Sequence, residues 1–320
     1  MHACIDLCSN SFHLLIGEWN KGRIKIVERC SDKVQLGEDV KSTGVISPGA
    51  FERGLACLAR FKELMAEYPL ENYWALGTNT FRVTDNAPEF IKAASAIGID
   101  ISVISGTQEA VLIYAGVITA LPVSDVHRLV IDIGGGSTEI IIGSGHDRLL
   151  TESLDIGSVA WRDRFFPDAI ADVKILKQQM EQGKTAACEV FDAVAPGMRK
   201  AGWTEIYASS GTVKMMSYVC EYHGYSSGVI QRKGLLELKD RLAEGIAAGE
   251  DILGVKESRR DLLLPGWCIL MALMEVYGIE SIRFSATALR EGMLDFMVKN
   301  EKTMLAMERS GLPRVIETDS

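Results

Sequence analysis

The chain has 320 residues, enough for two domains of ordinary size. Its 47% hydrophobic and 24% charged residues exclude a disordered chain, and its net charge of −9 excludes a general nucleic-acid binder, which would carry a basic face. Seven scattered cysteines, odd in number and without a Cys-x-x-Cys pair, argue against a disulfide framework or a zinc site and point to a reducing cytoplasm.

The N-terminus, Met1 to Asp6, lacks the basic region and apolar run of a leader. No apolar run approaches the ~18 residues of a membrane span, so no membrane partner is expected. The first strand pattern is Ile5-Asp6-Leu7-Cys8-Ser9-Asn10-Ser11-Phe12-His13-Leu14-Leu15-Ile16-Gly17. It reads as an apolar strand ending in Asp, a small polar turn and a second apolar strand ending in Gly. A third strand follows over 23–29. Ser47-Pro48 starts a helix running to Tyr68, with Ser as N-cap and Pro at the first helical position. A strand over 73–76 leads into the turn Gly77-Thr78-Asn79-Thr80, followed by a helix over 89–97, a strand over 101–104 and a helix over 107–119.

The pattern then restarts without a gap at Ile131-Asp132-Ile133-Gly134-Gly135-Gly136-Ser137-Thr138-Glu139-Ile140-Ile141-Ile142-Gly143, with a third strand over 148–154. A long helical stretch from about Asp172 leads to a strand over 205–208 and the turn Ser209-Ser210-Gly211-Thr212. Helices over 213–222, 234–246 and 261–277, a strand over 282–285 and a last helix from about Ala288 complete the chain. Three hairpin-linked strands followed by alternating helices and strands predict an α/β mixed sheet with helices on both faces, present twice, with a central cleft between the copies. The break falls near Leu121-Pro122-Val123, giving domains 1–123 and 124–320, with the last helix free to pack back on the first domain.

The turns carry the candidate chemistry. Three glycines, Gly134, Gly135 and Gly136, permit φ > 0 and bring amides against an anion. Ser137 and Thr138 add hydroxyl donors. Asp132 at the strand end suits a hydrated Mg²⁺, which takes one or two carboxylates plus phosphate oxygens. In the first copy, Asp6 precedes Ser9, Asn10 and Ser11, a turn that alone reads equally as a phosphate loop or a plain hairpin. The turn with Ser210, Gly211 and Thr212 lies at a helix N-terminus that favours anions, although ordinary N-capping explains its Ser and Thr equally well. Glu109, in the first turn of a helix, either complements the helix dipole or acts as a general base. None of the five histidines has metal-ligand spacing, and they read as structural or surface residues.

These motifs resemble, in order along nearly the whole chain, the exopolyphosphatase / guanosine pentaphosphate phosphatase family. Asp6 to Leu14 is similar to its first phosphate motif, and Gly77 to Arg82 to its Thr-rich stretch ending in a substrate-contacting Arg. Ile104 to Ala110 is similar to the stretch with the catalytic glutamate, and Val130 to Glu139 to the second phosphate motif. Ala208 to Lys214 and Leu289-Arg290-Glu291-Gly292 are similar to the third and to the C-terminal signature. The resemblance implies two ribonuclease H-like domains of the actin-like ATPase superfamily. It also implies release of terminal phosphate from polyphosphate or of the 5′ γ-phosphate of guanosine pentaphosphate. Glu109 would activate water, Arg82 would contact phosphate, and Asp6, Asp132 and Glu139 would bind Mg²⁺ or another divalent cation, with Glu139 also able to position the water. A homodimer is allowed. Two departures stand out. Cys8 replaces the usual Gly, where a Cβ and sulfur would crowd phosphate or alter the loop's φ/ψ. The chain also matches only the two actin-like domains, which favours shorter polyphosphate or a nucleotide. A weakly catalytic polyphosphate- or nucleotide-binding regulator is the alternative.

Overall fold

The computed structural model describes residues 1–20, 23–167, 170–298 and 316–317. By its internal contacts the chain divides into two compact units, 1–122 with 287–320, and 123–286.

The first unit opens with three antiparallel strands, β1 (His2–Leu7), β2 (Ser11–Asn20) and β3 (Arg23–Lys33). β1 is buried over its whole length, which is why it reads as an apolar run and not an alternating strand. Then come α1 (Val40–Thr43), α2 (Pro48–Met65), β4 (Asn72–Gly77), α3 (Asn79–Val83), α4 (Ala87–Ala96), β5 (Ile101–Val103) and α5 (Gly106–Ile118). Ser47 caps α2 through its side chain, which accepts from the Ala50 amide, with Pro48 at the first helical position. β4 pairs parallel with β1 on one side and with β5 on the other, giving the order β3-β2-β1-β4-β5.

The second unit repeats the plan. β6 (His127–Ile133), β7 (Thr138–Ser144) and β8 (Asp147–Leu154) precede α6 (Ser158–Phe165), α7 (Val173–Asp192), α8 (Ala195–Ala201), β9 (Glu205–Ser209) and α9 (Gly211–Tyr222). β10 (Val229–Gln231), α10 (Arg232–Ala247), a 3₁₀ turn (Glu257–Leu262), α11 (Leu263–Val276) and β11 (Ser281–Phe284) follow. The sheet order is β8-β7-β6-β9-β11-β10. α11 is apolar on every side and almost wholly buried, so it forms the centre of this unit's core. Burying each of its large side chains contributes about 1.5–3 kcal/mol.

The repeat extends to irregularities. The β2–β3 register slips between Ile16 and Gly17, and the β7–β8 register slips between Ile142 and Gly143. Gly17 and Gly143 occupy the same position of the repeat, so the same bulge bends the hairpin in both copies.

α12 (Leu289–Val298) belongs to the first unit; the sequence expectation placed 124–320 in one domain while leaving the last helix free to pack back on the first. A Cβ on Gly116 of α5 would lie 1.8 Å from the Ala288 carbonyl oxygen, and one on Gly292 would lie 1.8 Å from that of Leu112. Two glycines thus let α5 and α12 cross backbone to backbone. The two residues of β12 (Ile316–Glu317) pair with β4.

The sequence reading missed α6, α8 and β10, and took 77–80 as a plain turn where α3 begins at Asn79. Each of these is short, three to eight residues, so its periodicity carries little signal.

Candidate functional site

In the first unit, Asp6 sits near the end of β1, nearly buried. Burial pushes its carboxyl up to about 6, against the opposing charge of Arg290 and a hydrogen bond from the Cys8 thiol. That bond, Cys8 Sγ to Asp6 Oδ1, is 2.8 Å. Cys8 does not distort the turn: among the described side-chain-bearing residues, φ is positive only at Gln35, Asp39 and Ser210. The expected backbone change at Cys8 is therefore absent.

Ser9, Asn10 and Ser11 are buried. Their turn is held from behind by a strap after β3, where the Gln35 amide donates to the Asn10 carbonyl (2.8 Å) and the Gly37 amide to that of Ser9 (2.8 Å). A Cβ on Gly37 would meet the Ser9 Cβ at 2.8 Å. Thr80 donates its hydroxyl to Ser9 Oγ at 2.8 Å.

α3 carries Arg82, and α5 carries Glu109 in its first turn. A capping box between Ser105 and Gln108 fixes the start of α5. Arg82 Nη1 donates to Glu109 Oε2 at 2.8 Å and to the Ile104 carbonyl at 2.9 Å. The Glu109 side chain is 9% exposed, so this is a sheltered ion pair that sets the carboxylate's orientation. The two residues singled out separately in the sequence are partners.

In the second unit, Asp132 is the last residue but one of β6 and Glu139 the second of β7, and the two are register partners across the hairpin. Ser209 donates its hydroxyl to Asp132 Oδ2 (2.5 Å), and Ser153 donates to Glu139 Oε1 (2.9 Å). Their counterparts in the first copy are Asp6 and His13, which face each other in the same register. His13 thus occupies the place of Glu139, a correspondence the gapless repeat carried and the reading of His13 as structural passed over.

The glycine turn needs its glycines for a reason other than the one expected. Gly134, Gly135 and Gly136 are absent from the residues with positive φ. The reason is close approach. A Cβ on Gly134 would lie 2.9 Å from the Ser137 carbonyl oxygen, and one on Gly157 would lie 2.4 Å from the backbone of Gly135 and Gly136. A strap after β8 runs flush against the turn, with the Ser158 amide donating to the Gly134 carbonyl (2.9 Å) and the Val159 and Ala160 amides to that of Gly135 (2.9 and 3.1 Å). With these carbonyls drawn to the strap, the Gly135 and Gly136 amides donate to no other backbone group among the described residues. Thr138 is fully buried and donates its one hydroxyl proton to the Ile156 carbonyl (2.6 Å). It fastens the turn and has no proton left for a ligand.

At the third turn, Ser210 has φ 99° and ψ 168°, a strained conformation for a residue with a side chain. Its hydroxyl oxygen accepts from the Thr212 and Val213 amides, both at 3.2 Å. Thr212 donates its hydroxyl to Ser158 (3.1 Å), so its amide and its hydroxyl proton are both used inside the protein. The Gly211 amide donates to no other backbone group among the described residues. A Cβ on Gly211 would lie 2.3–2.5 Å from the Arg259 guanidinium, so a cation rests directly on this turn. Arg259 lies in the 3₁₀ turn, 48 positions away in sequence, and the sequence reading missed it.

Among the described residues no group of three or more His, Cys, Asp or Glu could hold a metal by itself. The acids present, Asp6, Asp132 and Glu139, are all oxygen donors. That suits a cation such as Mg²⁺, which completes its shell with water and phosphate oxygens.

Two mixed sheets of order 3-2-1-4-5, each interleaved with helices in the chain and with a polar turn after its first strand, define two ribonuclease H-like units of the actin-like ATPase fold. The model of the Ppx/GppA phosphatase family matches residues 15–301, and the chain belongs to that family. It is 36% identical over 300 residues to a Haemophilus influenzae protein named "Putative exopolyphosphatase", covering 93% of this chain and 91% of that one. It is 33% identical to a guanosine-5′-triphosphate,3′-diphosphate pyrophosphatase of Aeromonas hydrophila, covering 97% of this chain and 62% of that longer one. The crystal structure of an exopolyphosphatase from Cytophaga hutchinsonii superposes with a TM-score of 0.80 at 26% identity, covering 92% of this chain and 97% of that one. Among the described residues no helix is long and apolar enough to cross a membrane.

Proposed function

We propose that this chain releases terminal orthophosphate from inorganic polyphosphate by metal-assisted attack of water, with Glu109 as the base. The observation that carries the reading is the sheltered Arg82–Glu109 pair at 2.8 Å, which holds a carboxylate in one orientation at the start of α5. A fixed carboxylate suits proton abstraction from water. As the water oxygen bonds to the terminal phosphorus, its proton passes to Glu109 and the bridging P–O bond breaks. The products are orthophosphate and a chain one phosphate shorter.

The amides of Gly135, Gly136 and Gly211 and the Arg259 guanidinium would hold phosphate oxygens, a task for which backbone donors and a forked cation are suited. Ser9, Asn10, Ser11 and Ser137 would add polar contacts. Asp6, Asp132 and Glu139 would hold Mg²⁺, whose chemistry is to neutralise charge on the phosphate oxygens. Guanosine pentaphosphate is the second substrate to test, since the Aeromonas hydrophila relative acts on a guanosine polyphosphate by its name.

The test is orthophosphate release in Mg²⁺ from short polyphosphate, long polyphosphate and guanosine pentaphosphate. Glu109→Gln should cut turnover by about 10²-fold while substrate binding persists. Release from none of the three, or near-normal turnover in Glu109→Gln, refutes the proposal.

A further inference from the structure

We infer that Ser158 is a positioning residue that sets the glycine turn and the α9 turn of the second unit against each other. The inference rests on the reading that these two turns hold phosphate.

Ser158 is the first residue of α6 and is 2% exposed. It follows Gly157, where even a Cβ would collide with the glycine turn at 2.4 Å. Three hydrogen bonds converge on it. Its amide donates to the Gly134 carbonyl at 2.9 Å, its hydroxyl donates to the same carbonyl at 3.2 Å, and Thr212 Oγ1 donates to Ser158 Oγ at 3.1 Å. The direction of the chain is forced. A carbonyl oxygen only accepts, so the Ser158 proton goes to Gly134, and Thr212 must then donate to Ser158.

Thr212 is held in the orientation this needs. A Cβ on Gly266 of α11 would lie 2.7 Å from the Thr212 methyl. The methyl is thus seated against a glycine of the central helix while the hydroxyl points to Ser158. One side chain therefore ties Gly134, two residues from the Gly136 amide, to Thr212, one residue from the Gly211 amide. Ser158 itself touches neither amide, so it acts through the turns.

A second tie runs along the same path. Arg162, one turn further along α6, donates to Asp261 at 2.7 Å. Asp261 shares the 3₁₀ turn with Arg259, whose guanidinium rests on Gly211. α6 is thereby linked to the α9 turn at both of its contacts.

The test compares Ser158→Ala, Thr212→Val and the double variant by steady-state kinetics of orthophosphate release, with product inhibition by inorganic phosphate measured alongside. Each single variant breaks the same chain. KM and the inhibition constant should each rise about 3- to 10-fold, the effect of one buried neutral hydrogen bond, with kcat within about 2-fold. The double variant should be no worse than Ser158→Ala, which already removes both hydroxyl bonds of the chain. Thr212→Ser, which keeps the hydroxyl, should recover most of the loss seen in Thr212→Val. KM unchanged in Ser158→Ala, multiplicative losses in the double variant, or a fall in kcat at constant KM overturns the inference. If Ser158→Ala fails to fold, the contrast between Thr212→Val and Thr212→Ser decides it: equal KM values overturn the inference, and a rise confined to Val supports it. Gly211→Ala separates this from the underlying reading. A rise in KM there with none in Ser158→Ala removes the positioning role alone, whereas no rise in Gly211→Ala removes the phosphate reading with it.

Discussion

Replacing Asp6 by Asn should stabilise the metal-free protein at alkaline pH while abolishing its response to Mg²⁺. The Asp6 carboxyl ionises at about 6 in the fold against 3.8 ordinarily, with burial as the largest cause. A gap of that size corresponds to about 3 kcal/mol. Because the folded pKa is the higher one, the folded state binds more protons than the unfolded chain between about 4 and 6. Stability therefore falls as pH rises through that window, and the full cost is present above it. Asn has no charge to bury, and its Oδ1 can still accept the thiol bond from Cys8. The attraction to Arg290 is already contained in that gap, and the Asn amide protons need partners in the same buried place, so the net gain at pH 8 should be about 1–3 kcal/mol, shrinking to nothing near pH 4. Urea denaturation in EDTA, run from pH 4 to pH 8 on parent and variant, measures this directly. With Mg²⁺ in place of EDTA the parent's midpoint should rise, since a cation that binds only the folded state stabilises it, and the variant's should stay unmoved. A variant less stable than the parent at pH 8, or a difference independent of pH, refutes the reasoning.

Arg82→Lys keeps the charge but loses the planar group and the reach that place a single nitrogen, Nη1, between Glu109 and the Ile104 carbonyl, so kcat/KM should fall about 10-fold or more; unchanged kinetics would make Arg82 purely structural. Asp132→Asn should raise the Mg²⁺ concentration for half-activation about 10-fold or more, read from a Mg²⁺ titration of phosphate release, with little change in melting temperature. Cys8→Gly should bring no gain in turnover, because φ at Cys8 is already ordinary and no strain is there to relieve. Thiol-directed reagents should nonetheless inhibit the parent, with Mg²⁺ and substrate protecting, since the part-exposed sulfur lies 2.8 Å from Asp6; modification without inhibition would place the Asp6 carboxylate outside the site.

The duplicated strand–turn–strand core was legible because β1 and β6 are buried runs that end at an acid, and because Asp6 and Asp132 align with no gap through Gly17 and Gly143. The start of α2 was legible from Ser47-Pro48, a purely local signal. What escaped was non-local. The straps at 35–37 and 156–160 touch the turns from the far end of a third strand. Their only trace is a shared pattern, Val34-Gln35-Leu36-Gly37 and Leu154-Asp155-Ile156-Gly157, in which the glycine falls where the strap meets the turn. Arg259 reaches Gly211 from a 3₁₀ turn with no periodicity of its own. The glycines of 134–136 were singled out for a conformation they do not adopt, and at Gly134 the cause is close approach, which leaves the same mark in a sequence as positive φ.

The two copies also differ in how their straps meet the turns. In the second, the strap draws the Gly134 and Gly135 carbonyls to itself, the Gly135 and Gly136 amides donate to no other backbone group among the described residues, and a side chain at 134 would press on the Ser137 carbonyl at 2.9 Å. In the first, the strap takes the Ser9 and Asn10 carbonyls, one residue further along the turn, and Cys8 carries a side chain at the position of Gly134 without left-handed φ. The first turn therefore has room that the second lacks. It spends that room on side chains: the Cys8 thiol on Asp6, and the Thr80 hydroxyl on Ser9. The two straps thus meet their turns differently, the first at the equivalents of Gly135 and Gly136 and the second at Gly134 and Gly135, and the position that bears a side chain in one copy, Cys8, is closed to a Cβ in the other.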